Sequence, residues 1–263
     1  MHSPTDSASH RTRVGRMQVC VWPGGILWIG IADGVGTVHA HHALQLSFGA
    51  DRLPGFRRGS DQAFTTYTGC LIPADLPHAI DATGGRRFAN IFVDPETAEG
   101  RALRTRTVPG AITALDDTEA RAAADLLYGA WTETHACARL EPAAREVVRR
   151  FAGTAPPRDT SDPRVLGAIE LIRERLDRKV TLADVARELN VSPSRLRHLF
   201  VEEVGLPFRT YVLWQRLQRV IQTVRTEKSL THAALDAGFA DAAHMTRTFR
   251  RMAGIAPSML EWE

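Results

Sequence analysis

The chain has 263 residues, of which 44% are hydrophobic and 24% are charged, a composition typical of globular proteins with room for two domains. The most apolar stretch, 19–31, is interrupted by one proline and three glycines, which excludes a membrane-spanning helix there. Residues 1–18 are polar and basic and lack the apolar run and cleavage site of a signal peptide, so we expect no secretion and a cytoplasmic location. The cysteines lack the spacing of a metal site, and in a cytoplasm we expect all of them to be reduced: Cys20, Cys70 and Cys137.

Charge is unevenly distributed along the chain. Residues 163–263 carry 16 Lys and Arg against 12 Asp and Glu, whereas the preceding residues carry 17 against 18. The carboxy-terminal part is therefore basic and the amino-terminal part is close to neutral. A basic excess confined to one end favours a polyanionic partner for that end.

The amino-terminal half has the pattern of a β domain. Gly and Pro separate short apolar runs between residues 17 and 95, at 26–31, 43–48, 63–67, 69–73 and 88–93. Runs of this length between turn residues predict an antiparallel barrel or sandwich. Its interior is predicted to be filled by aromatic side chains: Trp22, Trp28, Phe48, Phe64, Tyr67 and Phe92.

Helices are predicted from residue 116 onward. Apolar residues have helical spacing in 116–134, and Pro142 is expected to open a second helix at 142–151. Gly, Pro, Ser and Thr in 153–163 are typical of a linker. We therefore predict an α+β fold with an antiparallel β-barrel and a helical pair at 17–152, a linker at 153–163, and an all-helical domain at 164–263.

The helical domain contains two similar segments, 182–200 and 230–249. Each predicts a short helix, a tight turn, a capping residue (Ser192 or Asp241) and a second helix that ends in Phe. An apolar stripe between them predicts a long connecting helix. Small residues on the inner face of the short helices let paired helices cross at the steep angle of a helix-turn-helix: Ala183, Ala186, Ala233, Ala234 and Ala237. Two such units in tandem are far more specific than one.

Candidate DNA contacts lie on the second helix of each unit. Leu196 and Phe200 in one helix, and Met245 and Phe249 in the other, are predicted to face inward, which leaves basic and polar faces outward. Arg suits guanine edges, while Ser, His and further Arg residues suit bases or phosphates. The predicted interface comprises Ser194, Arg195, Arg197, His198, Ala243, His244, Thr246, Arg247, Arg250 and Arg251. The alternative for any single arginine is that its charge only solvates an exposed helix face.

These segments resemble the AraC/XylS family of transcription regulators. The resemblance covers 164–260 and implies two readers of successive major-groove segments with a rigid helix between them. It departs from the family at the alanines that begin the second reading helix and at the terminal 259–263, where family members frequently have Tyr-Arg. The resemblance is carried by Thr181–Ala186, Ser192–Phe200, Gly238-Phe239, Thr248–Arg251 and Gly254–Pro257.

A histidine motif stands in the amino-terminal half. On a strand, His39 and His41 point to the same side, Gln45 returns to that face, and His42 points away. With His78 on a partner strand, the set resembles the cupin motif pair His-x-His-x₃-Glu and Pro-x-Gly-x₂-His, with Gln for Glu and Asp75 for Gly. The resemblance implies a site for one divalent transition metal (Zn, Ni, Fe or Cu) held by His39, His41, Gln45 and His78. The alternative is that these are polar groups of a pocket for an organic effector.

The leading interpretation is a ligand-responsive transcription regulator without enzymatic activity. Its barrel senses a small molecule or metal, it binds double-stranded DNA, and it contacts RNA polymerase if it activates. The helices at 116–134 and 142–151 are expected to join a homodimer, which would double the length of DNA read; the alternative is that they pack only on their own barrel. The rival class is a metal-dependent cupin enzyme, such as an isomerase or dioxygenase, with a helical appendage.

Overall fold

In the computed structural model of this chain, an antiparallel β domain with a helical pair precedes an all-helical domain. The structure describes residues 13–50, 54–133, 136–153, 162–227 and 229–259. None of the helices in those ranges is long and apolar enough to cross a bilayer. Most of the predicted linker, 154–161, lies outside the described residues.

The described strands form two antiparallel sheets. The larger sheet has the order β1-β2-β8-β3-β6-β9, and the smaller has the order β5-β4-β7. The prediction of an antiparallel β domain is confirmed, although β1, β4, β7 and β9 were not among the predicted runs. The strands are β1 (Arg13–Trp22), β2 (Gly25–Asp33), β3 (Leu44–Gly49), β4 (Gly55–Arg58), β5 (Thr65–Thr66), β6 (Gly69–Ile72), β7 (His78–Asp81), β8 (Arg86–Val93) and β9 (Thr113–Ala114).

The described ranges also contain α-helices, most of which follow the strands. They are α1 (Ala98–Arg104), α2 (Asp117–Glu133), α3 (Cys137–Ala152), α4 (Pro163–Glu174), α5 (Leu182–Glu188), α6 (Pro193–Val204), α7 (Phe208–Glu227), α8 (Leu230–Asp236) and α9 (Ala242–Ala253). The prediction that Pro142 opens a helix is wrong, because α3 begins at Cys137 and contains that proline. Proline removes one backbone hydrogen bond there, while the apolar face from Leu140 to Phe151 packs on the sheet and keeps the helix continuous.

Both faces of the larger sheet are covered by helices. Alternate residues of β2 point to opposite sides, so Leu27 and Ile29 belong to one core and Ile26 and Trp28 to another. The first core is closed by α2 and α3, and the second by α7, α8 and α9 of the helical domain. The sheet is therefore the layer that connects the helical pair to the helical domain.

The helical pair α2–α3 packs on its own sheet. Most of the stripe predicted for 116–134 is buried or half-buried against β-domain residues, including Leu127 at 0% exposure. This is the packing expected under the alternative to dimerisation. Dimerisation through the remaining surface of this pair stays a prediction.

The expectation that all cysteines are reduced is wrong for two of them. Cys20 of β1 and Cys137 at the start of α3 form a disulfide, with an S–S distance of 2.09 Å and a Cα–Cα distance of 5.5 Å. The two residues are 117 positions apart, so their spacing in the sequence did not indicate the pair. The packing of α3 over β1 brings them together. Cys70 is free and buried, and burial raises the pKa of its thiol.

The helical domain has two cores rather than one. Residues of α4, α5, α6 and the start of α7 form a core of their own. The pair α8–α9 instead shares a core with the rest of α7 and with Met17, Trp28, Phe88 and Phe92 of the β domain. The first helix-turn-helix unit, α5–α6, is thus built independently of the β domain. The second unit, α8–α9, is docked on that domain.

Candidate functional site

The turns of the two helical pairs follow the predicted design. Asn190 and Gly238 stand in the left-handed region, with φ of 54° and 80°. A Cβ at Gly238 would lie 2.0 Å from the carbonyl oxygen of Leu176, so this turn requires glycine. Each second helix then begins at its predicted cap, because Ser192 Oγ accepts from the amide of Arg195 and Asp241 Oδ1 accepts from the amide of His244.

Most of the predicted contact residues on these helices are exposed. On α6, Leu196, Leu199 and Phe200 are buried, whereas four predicted residues are exposed: Ser194, Arg195, Arg197 and His198. On α9, Met245, Phe249 and Met252 are buried as predicted. The exposed residues of α9 are Ala243, Arg247, Arg250 and Arg251, while His244 and Thr246 are half-buried. On the short helices, Ala186, Ala233, Ala234 and Ala237 are buried as expected, but Ala183 is exposed and Val185 is buried instead.

Both second helices border one cleft. Arg197 of α6 and His244 of α9 line it from opposite helical pairs, and it encloses about 950 Å³. The ring of His244 is held against Phe239, with centroids 5.3 Å apart. Most of the charged side chains that line the cleft are basic: Arg178, Lys179, Arg197, Arg209 and Arg216, beside Asp177. One residue of each predicted interface, Arg197 and His244, therefore borders the same cleft, among side chains that are mostly basic.

The predicted histidines converge, although His39 and His41 do not lie on a regular strand. His39 forms an isolated antiparallel bridge with His78, and their backbones exchange two hydrogen bonds of 3.0 and 2.9 Å. Asp75, at the glycine position of the motif, has a φ of 58° and donates its amide to the His41 carbonyl. One ring nitrogen from each of His39, His41 and His78 lies within 4.8 Å of the others.

Backbone carbonyls fix the tautomer of each ring. The Nδ1 atoms of His39, His41 and His78 lie 3.0, 2.9 and 2.8 Å from the carbonyl oxygens of Thr37, Ala43 and Leu76. Because a carbonyl only accepts, each Nδ1 carries the hydrogen and each Nε2 carries a lone pair. This is the form in which imidazole binds a metal, and such outer hydrogen bonds orient metal-binding histidines.

The environment keeps these rings neutral. Burial, together with the proximity of His39, lowers the pKa of His41 to about 4. Burial also lowers the pKa of His39 and of His78. His78 is 1% exposed, and its Nε2 has no hydrogen-bond partner among the described residues.

Gln45 extends the histidine cluster as a chain of buried polar groups. Its Oε1 lies 2.8 Å from His41 Nε2, its Nε2 donates to Ser47 Oγ, and Ser47 donates to Asn90 Oδ1. In this orientation Gln45 Oε1 and His41 Nε2 are both acceptors that face each other, an arrangement a bound cation satisfies. Flipping the amide also removes the conflict, so the three imidazoles, rather than Gln45, are the stronger evidence for a metal site. His42 points away, as predicted, and pairs with Glu96 at 3.1 Å.

The histidines open into an internal chamber between the two domains. The chamber walls combine apolar side chains of the sheet, such as Trp28 and Phe92, with side chains of α7 and α9, such as Trp214 and Phe249. Its free volume is about 70 Å³, well below the roughly 300–1,000 Å³ of pockets for drug-sized ligands. In this conformation the chamber suits an ion or a very small molecule.

A second polar cluster, which the sequence did not indicate, fixes α7 to the end of β8. Asp94 accepts hydrogen bonds from Trp214 Nε1 and Gln218 Nε2, both at 2.9 Å. Glu96 accepts from Tyr211 at 2.7 Å and pairs with His42. Burial, followed by the charge of Glu96, raises the pKa of Asp94 to about 6. Burial alone would raise the pKa of Glu96 as well, but the hydrogen bond and charge of His42 outweigh it and lower that pKa.

Comparison with known proteins assigns the helical region. The family described as "Helix-turn-helix domain" matches residues 185–261. The arabinose operon regulatory protein of Salmonella typhimurium is 32% identical over 108 residues, which are 39% of this chain and 36% of that protein. The transcriptional activator RhrA of Rhizobium meliloti is 29% identical over 118 residues, 43% of this chain and 37% of that protein. The chain thus spans about a third of the length of these curated relatives.

Solved structures extend the likeness to the whole fold. ToxT from Vibrio cholerae O395 has a TM-score of 0.58 at 13% identity, covering 91% of this chain and 99% of that one. ToxT from strain SCE256, solved with an unsaturated fatty acid bound, has a TM-score of 0.56 at 12% identity, covering 89% and 94%. The order of the two domains is therefore that of a known fold.

An antiparallel β domain followed by a helix-turn-helix domain defines a two-domain protein with a DNA-binding module at its carboxyl end. Within that class, residues 185–261 match the helix-turn-helix family, and the carboxy-terminal region is similar to the arabinose operon regulatory protein and to RhrA.

Proposed function

We propose that the protein is a cytoplasmic transcription regulator that binds double-stranded DNA through α6 and α9 and responds to a ligand in its chamber. The observation that carries the proposal is the shared basic cleft, since Arg197 and His244 border it from separate helix-turn-helix units. A helix of this kind enters the major groove with its exposed face. The curated relatives, which are named as regulators of transcription, support the same assignment.

Each set of exposed residues has a distinct part in this binding. Arg195 and Arg197 on α6, and Arg247 on α9, are exposed and are proposed to contact base edges or the adjacent backbone. Arg250 and Arg251, in the last turn of α9, are proposed to contact phosphates. Ser194, His198, Ala243, His244 and Thr246 complete the two faces. The departure at the start of α9, where Ala242 and Ala243 offer no hydrogen bond, makes α6 the more discriminating of the two helices.

The test is DNA binding by matched arginine variants. Arg197→Ala is expected to cost about 1–3 kcal/mol on the operator and to relax the preference at one base position, because a bidentate contact to guanine is lost. Arg104→Ala removes the same charge from an exposed position of α1, outside the proposed DNA-binding and dimer surfaces, and is expected to leave binding unchanged. Affinities are measured by anisotropy over a range of salt concentrations, and Arg250→Ala should reduce the salt slope by about one. Equal affinity and preference for the Arg197 and Arg104 variants would remove α6 from the interface.

The β domain is proposed to be the sensor, with the cupin-like arrangement that its histidine motif resembles. Its chamber is walled in part by α7 and α9, so a bound ligand contacts both domains directly. The fatty acid bound to ToxT supports an effector site in this fold. A larger effector would require the domains to part, because the free volume here is about 70 Å³.

A divalent transition metal fits the donor set of the chamber. His39, His41 and His78 would hold it through Nε2, and Gln45 would add an amide oxygen. Such an ion would supply a fixed positive charge and a Lewis acid in an apolar surrounding. The protein is further proposed to act as a homodimer and, if it activates, to contact RNA polymerase.

A further inference from the structure

We infer that Zn²⁺-class metal binding at His39, His41 and His78 is linked to the docking of α9 on the β domain, with the metal loosening that docking. His39 is common to both events, because one side of its ring faces the chamber and the other supports the end of α9. The inference depends on the proposed function only in that α9 is taken as a DNA-reading helix.

The contact between His39 and α9 is close and specific. Gly254, the left-handed cap that ends α9, packs so tightly that a Cβ there would lie 2.4 Å from His39 Nδ1. Thr37, two residues before His39, donates a hydrogen bond from Oγ1 to the Gly254 carbonyl at 2.6 Å. Thr37 also supplies the carbonyl that holds His39 Nδ1. Thr37 therefore orients the ring of His39 through its carbonyl and binds the end of α9 through its hydroxyl.

Metal binding requires the three rings to close in. Zinc with nitrogen ligands at about 2.0–2.1 Å in a tetrahedral site holds those nitrogens about 3.3 Å apart. The candidate nitrogens are now spread over as much as 4.8 Å. His41 and His78 are 3% and 1% exposed and are fixed by packing, whereas His39 is only half-buried. His39 is thus the ring that moves.

The direction of that movement determines the sign of the linkage. The Nδ1 side of His39 faces Gly254, and its Nε2 is the donor left for the chamber. Drawing Nε2 toward a metal withdraws the ring from Gly254 and removes part of the surface on which α9 rests. Because linkage is reciprocal, the docking of α9 weakens metal binding by the same factor by which the metal weakens docking, so a substitution that weakens docking strengthens metal binding.

The test uses the full chain and Zn²⁺ alone. Zn²⁺ affinity is measured by competition with a chromogenic chelator, and hydrogen exchange is followed in 249–254 of α9, with 193–204 of α6 as the internal reference. The wild type is expected to bind one equivalent of Zn²⁺ and to exchange faster in 249–254 when Zn²⁺ is bound, with α6 unchanged. His78→Ala is expected to weaken Zn²⁺ binding at least tenfold, whereas His232→Ala, at an exposed position of α8, is expected to leave it within twofold.

Thr37→Val tests the reciprocal effect with every imidazole retained. It removes the hydrogen bond to Gly254 and is expected to tighten Zn²⁺ binding several-fold. Equal Zn²⁺ affinity of the wild type and the His78 variant would overturn the site. Unchanged or slower exchange in α9 with Zn²⁺ bound, which needs no variant, would overturn the linkage. If these results hold and the chain does not bind DNA, the proposed function fails while the metal linkage stands.

Discussion

At the carboxyl end of β8, Asp94 combines complete burial with hydrogen bonds to two side chains of α7. It is 1% exposed, and it accepts from Trp214 and Gln218. The groups around it are the carboxylate of Glu96 and the imidazole of His42, with Tyr211 bound to Glu96. Two carboxyl groups share one buried site, so the protonated form of Asp94 is favoured in the folded state.

This environment predicts a pH dependence of stability. The folded-state pKa of Asp94 is about 6, above the ordinary value of 3.8 for an aspartate, so the folded state binds the proton more tightly. The contribution of Asp94 to stability is therefore greatest at low pH and is lost as the pH rises from about 4 through 6. Asp94→Asn removes this loss, and its free energy of unfolding relative to the wild type should rise between pH 4 and pH 7. Urea unfolding across this pH range measures the difference in free energy, with Asp125→Asn at an exposed position of α2 as the control. Parallel pH profiles for the wild type and the Asp94 variant would contradict the raised pKa of Asp94.

At the scale of residues, the sequence indicates local partners and misses distant ones. Ser192 and Asp241 were predicted as caps because a capping side chain bonds an amide three residues on. The role of Asp94 was not predicted, because Trp214 and Gln218 are 120 and 124 positions away. The convergence of His39, His41 and His78 was predicted from a motif, but the carbonyl partners that fix their tautomers were not.

At the scale of elements, the two turns of the helical pairs differ in what they tolerate. Gly238 has a φ of 80° and faces the carbonyl oxygen of Leu176, whereas Asn190 has a φ of 54° and is exposed. Gly238→Ala is expected to cost more than about 2 kcal/mol, because left-handed strain adds to a clash with backbone. Asn190→Ala, the matched change, is expected to cost about 1 kcal/mol. Thermal unfolding compares the two variants. Equal losses of stability would show that the backbone around Leu176 shifts to accept the added Cβ.

The disulfide is a second feature that acts on whole elements. It ties β1 to α3 across 117 residues, and disulfides typically stabilise a fold by about 2–4 kcal/mol. Reductant is therefore expected to lower the free energy of unfolding of the wild type by that amount. Cys137→Ser should abolish the response, and Cys70→Ser should retain it, because Cys70 is free. A response in the Cys137 variant would mean that the reductant acts elsewhere.

The elements themselves were predictable where the sequence has a clear capping residue and a regular apolar face. Capped helices with an apolar face, such as α6 and α9, were predicted within a few residues, while β1 was missed and β7 was expected only as the partner strand that carries His78. β1 begins with Arg13 and includes Arg16 and Gln18, so its apolar face is intermittent. β7 has four residues, two of them polar, and only its pairing with β4 makes it a strand.

At the scale of the whole molecule, the two helix-turn-helix units differ in how they contact the β domain. The core of the first pair contains only residues of the helical domain, while α9 stacks Phe249 on Trp28 of β2 at 6.1 Å and an interplanar angle of 11°. Trp28→Ala is expected to cost about 3–5 kcal/mol and to raise hydrogen exchange in α9. Exchange in α6 should be unchanged, since its core lies elsewhere. Equal increases in both helices would show one cooperative domain.

This docking is the part of the molecule that the sequence did not reveal. Two domains in the observed order were predicted from the linker composition of 153–163 and from the helical repeats that follow it. The apolar face of α7 was predicted as well, but an apolar stripe does not identify its partner. The contact of Trp214 with Asp94, and of Gly254 with His39, depends on complementary shapes that no local pattern encodes.

The length of α7 has a consequence for the evolution of the promoters that such a protein could control. Its 20 residues form a rod of about 30 Å between the two units, close to the roughly 34–36 Å of one DNA turn. A point substitution in the bound DNA would weaken one contact and could be compensated at another. An inserted or deleted base pair between the two contacted segments would rotate one of them by about 35° about the duplex axis, and a rigid rod cannot follow. If the protein binds promoters as proposed, those promoters should therefore accept base substitutions while keeping the spacing between the two contacted segments.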